Sequence, residues 1–441
     1  MKKKNLRRED IMKKKLETKV SRRTFLKGAV AGATLLGPGI PYVAKKAAAQ
    51  TKVKEVKIAC VFPMSGPYSR NGNVFMQSTK AAIGWVNDNG GIKSLGGAKL
   101  VPVFGDAGGT VEGSATAMER CLKDPDIKVA QDGWSSSFNM ASTEITERAG
   151  IPQFNVGFSD ALHQRGFKWG FYVVIPATRQ ATIGLKFLTE LAKNKFNVDI
   201  KTAMLVGDNS AVSKIYFATA KTLLPQMGIQ VIGEETWSAG TLTDATAVMQ
   251  KVKTLYPDVV LYGATAISEC QMCLMKRKEF GVNIPFVGMG AWGMDPSYLG
   301  IGAEALEGVT AFTGNFPNKL TPQEWVTRSM EQCKKEYSNE PFMAQELGWA
   351  WATIPVIALV LEQAGSVNNN AIREAALKMD VKDSVYTRYF PAQGIAFAST
   401  GRIAEKYQGL QIVQWRKGVS RVVYPENLAM ETPVWVYKKK Q

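Results

Sequence analysis

Three consecutive hydroxyls, Ser135-Ser136-Ser137, stand between a β-rich run and a stretch of helical periodicity. A serine run there sets hydroxyls and free N–H groups at a helix N-terminus, whose dipole carries partial positive charge and favours an anion. Helix capping without any ligand uses the same residues, so the run alone leaves both readings open. Gly288-Met289-Gly290-Ala291-Trp292-Gly293 fits the spacing of a dinucleotide-binding loop, yet Pro296 and a short polar stretch follow it in place of a long helix. Cys270-Gln271-Met272-Cys273 has the spacing of redox and metal sites, but a second pair and the histidines of a zinc site are missing, which favours structural cysteines.

Composition removes further chemistries. One histidine in 441 residues, His163, closes most routes to a Ser-His-Asp triad, a histidine-ligated zinc or a His general base. The chain is therefore expected not to be an enzyme and to need no cofactor or metal. His163 itself reads as a surface or hydrogen-bonding residue, with ligand contact the second possibility. Five cysteines are too few and too scattered for a disulfide framework. The net charge of +17 invites a nucleic-acid partner until its distribution is seen. Residues 1–49 hold 14 of the 55 Lys and Arg and 3 of the 38 Asp and Glu, which leaves +6 on residues 50–441 and argues against nucleic acid.

The basic excess belongs to what reads as a leader. Ser21-Arg22-Arg23-Thr24-Phe25-Leu26-Lys27 precedes an apolar stretch, 28–40, and then Ala47-Ala48-Ala49. Basic region, short apolar region and small-residue site are the order of a secretory signal, and the paired arginines resemble the twin-arginine type. The stretch is shorter than the ~20 residues a membrane-spanning helix needs. Residues 1–49 are expected to be removed near Ala49 after export by the twin-arginine machinery, which leaves the remainder periplasmic.

Elements that would position the hydroxyls follow from residue 54 onward. β-rich runs at 56–62, 100–104, 127–131 and 153–156 alternate with helical patterns at 73–89, 111–122 and 139–149. A second series follows, with strands at 202–206, 229–232, 259–262 and 286–288 between helices. Such alternation is the mark of βαβ units and parallel sheets, here two doubly wound α/β halves. After 308 the pattern changes to helices at 321–337, 344–364 and 371–379, then to antiparallel-type strands at 394–399, 409–414 and 419–424.

Several motifs then carry a likeness over about residues 54–425. They are Pro63-Met64-Ser65-Gly66-Pro67, Trp85-Val86-Asn87-Asp88-Asn89-Gly90-Gly91-Ile92, the serine run, Ala161-Leu162-His163-Gln164-Arg165-Gly166-Phe167, and Gly302-Ala303-Glu304-Ala305-Leu306-Glu307-Gly308-Val309. The chain resembles the Leu/Ile/Val-type substrate-binding proteins of branched-chain amino-acid ABC importers, which have the type I periplasmic binding protein, or Venus-flytrap, fold. The resemblance implies two parallel-sheet lobes joined by a three-segment hinge. Lobe 1 would be 53–176 with 316–386, lobe 2 would be 177–315 with 387–425, and 426–441 a C-terminal tail. The crossings would lie near 175–178, 314–317 and 385–391.

It also implies a site. Matched by motif, Ser135 and Ser159, with Ser136, would hold a ligand carboxylate, while Trp134, Phe158, Tyr68, Thr265 and Trp292 would shape the rest. The family's second-lobe carboxylate, which holds an amino-acid ammonium, has no counterpart in Gly288–Gly293. Asp295 and Glu269 stand nearby as substitutes, and the rings in the cleft loops suit a bulky aliphatic or aromatic acid. The implied role is that of an ABC importer's solute-binding component, taking a branched-chain or hydrophobic amino acid or related carboxylate to a permease and its ATPase. The alternatives are a binder of aromatic or aliphatic acids or amides, and a ligand sensor for a signalling partner.

Overall fold

In a computed structural model, residues 53–290, 292–314, 316–334 and 345–437 are described, and the leader expected at 1–49 lies outside them. The first parallel sheet contains β1 (Glu55–Phe62), β2 (Lys99–Asp106), β3 (Ile127–Asp132), β4 (Gln153–Asn155) and β5 (Gly170–Tyr172) in the order β2-β1-β3-β4-β5. Helices α1 (Ser69–Asp88), α2 (Val111–Cys121), α3 (Ser136–Ala149) and the short α4 (Ala161–Gln164) connect them. β1 is apolar from Ile58 to Phe62 and wholly buried there, as a parallel strand covered on both faces must be.

The chain then enters a second sheet through α5 (Ala177–Phe196). Here β6 (Thr202–Asp208), β7 (Gln230–Trp237), β8 (Val259–Gly263), β9 (Phe286–Met289) and β10 (Thr310–Thr313) run parallel, in the order β7-β6-β8-β9-β10. Their helices are α6 (Ala211–Gln226), α7 (Thr246–Leu255), α8 (Ile267–Glu279) and α9 (Ala303–Leu306). Each sheet with its helices is a lobe.

Helices α10 (Gln323–Cys333), α11 (Gln345–Ala364) and α12 (Asn369–Lys378) return to the first lobe, where α10 and α11 pack on α1. Trp325 and Trp351 stack there at 4.6 Å and Trp85 meets both edge-on. The apolar stretch at 344–364 is thus accounted for as a core helix. Among the described residues no single helix is long and apolar enough to cross a membrane.

The third crossing differs from the expectation of 385–391. The hairpin β11 (Asp380–Lys382) and β12 (Gly394–Ala396) and the turn after it stay with the first lobe: Tyr172 N–H donates to Gly401 O at 2.9 Å, and Phe397 packs on Phe154 and Phe171. These residues cover the open edge of the first sheet at β5, and an edge strand left bare exposes unpaired backbone groups. Residues 387–407, expected in the second lobe, therefore lie in the first. The chain crosses only before β13 (Gln411–Arg416), which pairs antiparallel with β10 and with β14 (Val419–Tyr424) at the rim of the second sheet.

The segment expected as a tail is also packed. Leu428 is fully buried, and Val434 exchanges two hydrogen bonds with the Gln414 side chain, at 2.8 and 2.9 Å.

Candidate functional site

Both sheets have the strand order in which the first connection runs one way and the next runs the other. Loops diverge at that switch point and leave a crevice at the strands' C-terminal ends. In the first lobe the switch lies between β1 and β3, which release the loops at 63–68 and Gly133–Ser135. In the second it lies between β6 and β8, which release Asp208–Ser210 and Ala264–Ala266. The two crevices face one another: Ala211 N–H donates to Ser137 Oγ at 3.4 Å, and Ile267 N–H to Asn71 Oδ1 at 3.5 Å.

Between them Trp134 of the first lobe and Thr265, Trp292, Met294, Asp295 and Tyr298 of the second line one small cavity, about 10 Å³, near the size of a single water. Three buried polar atoms from these residues have no hydrogen-bond partner among the described residues: Trp134 Nε1, Thr265 Oγ1 and Asp295 Oδ2. Such atoms also occur elsewhere in the described residues, but here three meet in one crevice and offer hydrogen bonds to a polar partner. Trp134 contributes a donor, Asp295 an acceptor, and Thr265 either. Larger concavities, about 600 and 660 Å³, lie elsewhere on the second lobe, against Arg277 and Tyr437 and along Phe187 and Tyr424.

The expected site residues separate into three groups. Trp134, Thr265 and Trp292 line the cavity; the Trp292 ring lies over Gly263 and meets Tyr216 edge-on at 5.4 Å. Tyr68 is buried where the first lobe meets the second, and a Cβ at Gly240 would come within 2.8 Å of its hydroxyl. Burial, with Asp208 and Glu269 nearby, pushes that phenol's pKa well up, so Tyr68 stays protonated.

The serines and Phe158 do not line that cavity. Ser135 caps α3, its Oγ accepting from Phe138 N–H at 3.3 Å. Ser136 Oγ accepts from the N–H groups of both Phe158 and Ser159 at 3.0 Å and so ties the β4 loop to α3. Ser159 is buried, and the Phe158 ring packs edge-on against Trp349 of α11 at 5.8 Å.

Sequence reasoning missed Arg70. Its guanidinium crosses from α1 to Asp295, Nε and Nη2 reaching Oδ1 at 3.0 and 2.7 Å. Asp295, one of the two substitutes the sequence offered for the missing carboxylate, is the one brought into the crevice; it also caps the turn at Ser297, accepting its N–H at 2.8 Å. Glu269, the other candidate, accepts from Leu242 N–H at 2.9 Å and braces that loop, while burial raises its pKa. Asp208 is tied down by Ser210 N–H at 3.1 Å, Ser213 Oγ at 2.6 Å and Thr265 N–H.

The cysteine pair is structural in placement. Cys270 and Cys273 are buried and not bonded to each other, and burial pushes the Cys270 thiol up to about 12, far from a reactive thiolate. The glycine-rich loop opens on two turns of 3₁₀ helix, Pro296–Ile301, without the long helix that would receive a pyrophosphate. Among the described residues no three His, Cys, Asp or Glu come together as a metal site.

The family model described as periplasmic binding protein matches residues 55–419, the span of both lobes. The chain belongs to the periplasmic binding protein family. This periplasmic binding protein is 23% identical over 405 residues to Leu/Ile/Val-binding protein homolog 7 of Brucella abortus, covering 88% of this chain and 96% of that one. Among solved structures it is similar to the branched-chain amino acid transporter substrate binding protein of Streptococcus pneumoniae in complex with isoleucine, with TM-score 0.68, 18% identity and coverage of 84% and 100%. It is similar to the same degree to an ABC transporter solute binding protein of R. palustris in complex with benzoate, with TM-score 0.67, 15% identity and coverage of 84% and 95%. Its fold is thus that of the type I periplasmic binding proteins, with two hinged α/β lobes.

Proposed function

We propose that this protein is the extracytoplasmic solute-binding component of an ABC importer and that it takes a small hydrophobic amino acid, or a closely related carboxylate, between its lobes. The observation that carries this reading is the sidedness of the unpartnered polar atoms: a donor, Trp134 Nε1, on the first lobe and an acceptor, Asp295 Oδ2, on the second. A zwitterion satisfies both at once, with its carboxylate toward Trp134 and its ammonium toward Asp295. A solute touching both lobes favours the closed arrangement, which a permease can distinguish from the open one.

The crevice rings Trp134, Trp292 and Tyr298 favour a second reading, an aromatic acid, and the benzoate-bound neighbour supports it. The two readings differ at Asp295, since an aromatic acid has no cation to present there. A thermal-shift panel of leucine, isoleucine, valine, benzoate and hydroxybenzoates on ligand-stripped protein tests them, because a native-state ligand raises the melting temperature by mass action. We expect the amino acids to raise it, and Asp295→Asn to abolish their effect. Stabilisation of the wild type by benzoates alone, with none from the amino acids, would replace the amino-acid reading with the aromatic one. No response from any solute would reject both.

A further inference from the structure

We propose that Arg70 and Asp295 form a clasp that closes the lobes on each other, so that breaking it weakens every solute alike; the effect on affinity rests on the crevice being the solute site. Three contacts are made by one short stretch at the start of α1. Tyr68 meets the loop at Gly240, Asn71 meets Ile267 at the start of α8, and Arg70 reaches Asp295 beyond β9. Three second-lobe loops that are distant in sequence thus converge on one turn of first-lobe helix.

Among the described residues Arg70–Asp295 is the one ion pair that joins the lobes; the others, such as Arg328 with Asp88 and Arg416 with Glu307, lie within a lobe. It is also unevenly placed: the Arg70 side chain is 23% exposed, the Asp295 side chain 3%. Arg70 therefore stands at the rim, where solvent and salt reach it, while the carboxylate it neutralises lies inside. Removing the guanidinium leaves a buried carboxylate without its counter-charge, and separating the lobes is the way for water to reach that group. The cavity of about 10 Å³ admits no amino acid, so a solute enters only when the lobes part, and the clasp governs that step. Once inside, a solute is held by the lobes closing over it with the clasp remade, so losing the clasp weakens the closed, solute-bound arrangement and raises Kd by one factor for every solute, whatever its charge.

The test begins without ligand. Small-angle X-ray scattering of ligand-stripped wild type, Arg70→Gln, Arg70→Lys and, as control, Arg328→Gln is recorded at low salt and at 1 M NaCl. We expect wild type, Arg70→Lys and Arg328→Gln to scatter as compact particles at low salt. Arg70→Gln should be expanded, and 1 M NaCl should expand wild type in the same direction by screening the rim charge. Titration calorimetry should then give Kd values for Arg70→Gln raised roughly three- to tenfold, equally for neutral and acidic solutes. A ligand-free wild type already open at low salt, or Arg70→Gln with unchanged scattering, would overturn the clasp. Loss of affinity confined to acidic solutes with unchanged scattering would make Arg70 a direct ligand contact and overturn it too. Should Arg70→Gln not fold, the salt series on wild type decides alone. Should the expansion appear while no solute binds, the solute-binding reading fails and the clasp stands.

Discussion

At the scale of single residues, the sequence singled out atoms whose partners only the fold reveals. Trp134 and Thr265 carry polar atoms left without partners in the crevice, whereas His163 is placed against the Tyr172 ring at 4.3 Å, behind the first-lobe loops. Neither ring nitrogen of His163 has a partner among the described residues, and burial, reinforced by the positive charges of Arg402 and Arg165, pushes its pKa down to about 3. The sign of the consequence follows: the unfolded chain takes up the proton near the ordinary value of about 6.5 while the folded chain refuses it. The stability is whole above pH 6.5 and is lost progressively as pH falls from there toward 3. Calorimetric melting between pH 4 and 8 should therefore show a shallower acid decline in His163→Phe than in wild type. Equal slopes would remove His163 from the account.

At the scale of elements, most boundaries were legible because periodicity and capping act locally. The strand expected at 56–62 is β1, the helix expected at 73–89 is α1, and the serine run does open a helix. What the run does there was not legible. Ser135 satisfies one N–H of α3, but Ser136 satisfies two N–H groups of a loop more than twenty residues away, a partnership that no local pattern encodes. Ser135→Ala should lose a cap, about 1 kcal/mol. Ser136→Ala should cost more, about 2–3 kcal/mol, since two buried donors lose their acceptor together. Urea denaturation of the two variants checks the order; a smaller loss in Ser136→Ala would show that the β4 loop does not depend on this brace.

At the scale of the whole molecule, closure of sheets over one another decides where segments belong. The run at 394–399 reads as a strand from sequence, and Gly394–Ala396 is one, but the Phe397 that follows it lies over Phe154 and Phe171 of the first lobe. Alternation gives a strand's inward face and not the sheet it will cover. Residues 426–441 are expected as a tail because the resemblance ends at 425, but within them Val434 pairs with Gln414 and Leu428 is buried. Removing residues 426–441 should therefore lower the melting temperature by several degrees, as loss of a few kcal/mol does for domains of this size. An unchanged melting curve would return the segment to the status of a tail.

The sequence by itself determined the two α/β halves and the order of their elements, because hydrophobic period, caps and turn residues are set by neighbours a few positions apart, and its motifs carried the resemblance that implied the class of protein. It also named Trp134, Thr265 and Trp292, which lie at strand ends where crevices form. Only the tertiary structure decided that Asp295 is the carboxylate in the crevice and that Arg70, 225 positions earlier, holds it. An ion pair between two lobes depends on how the sheets are docked, and a one-dimensional pattern carries no record of that docking.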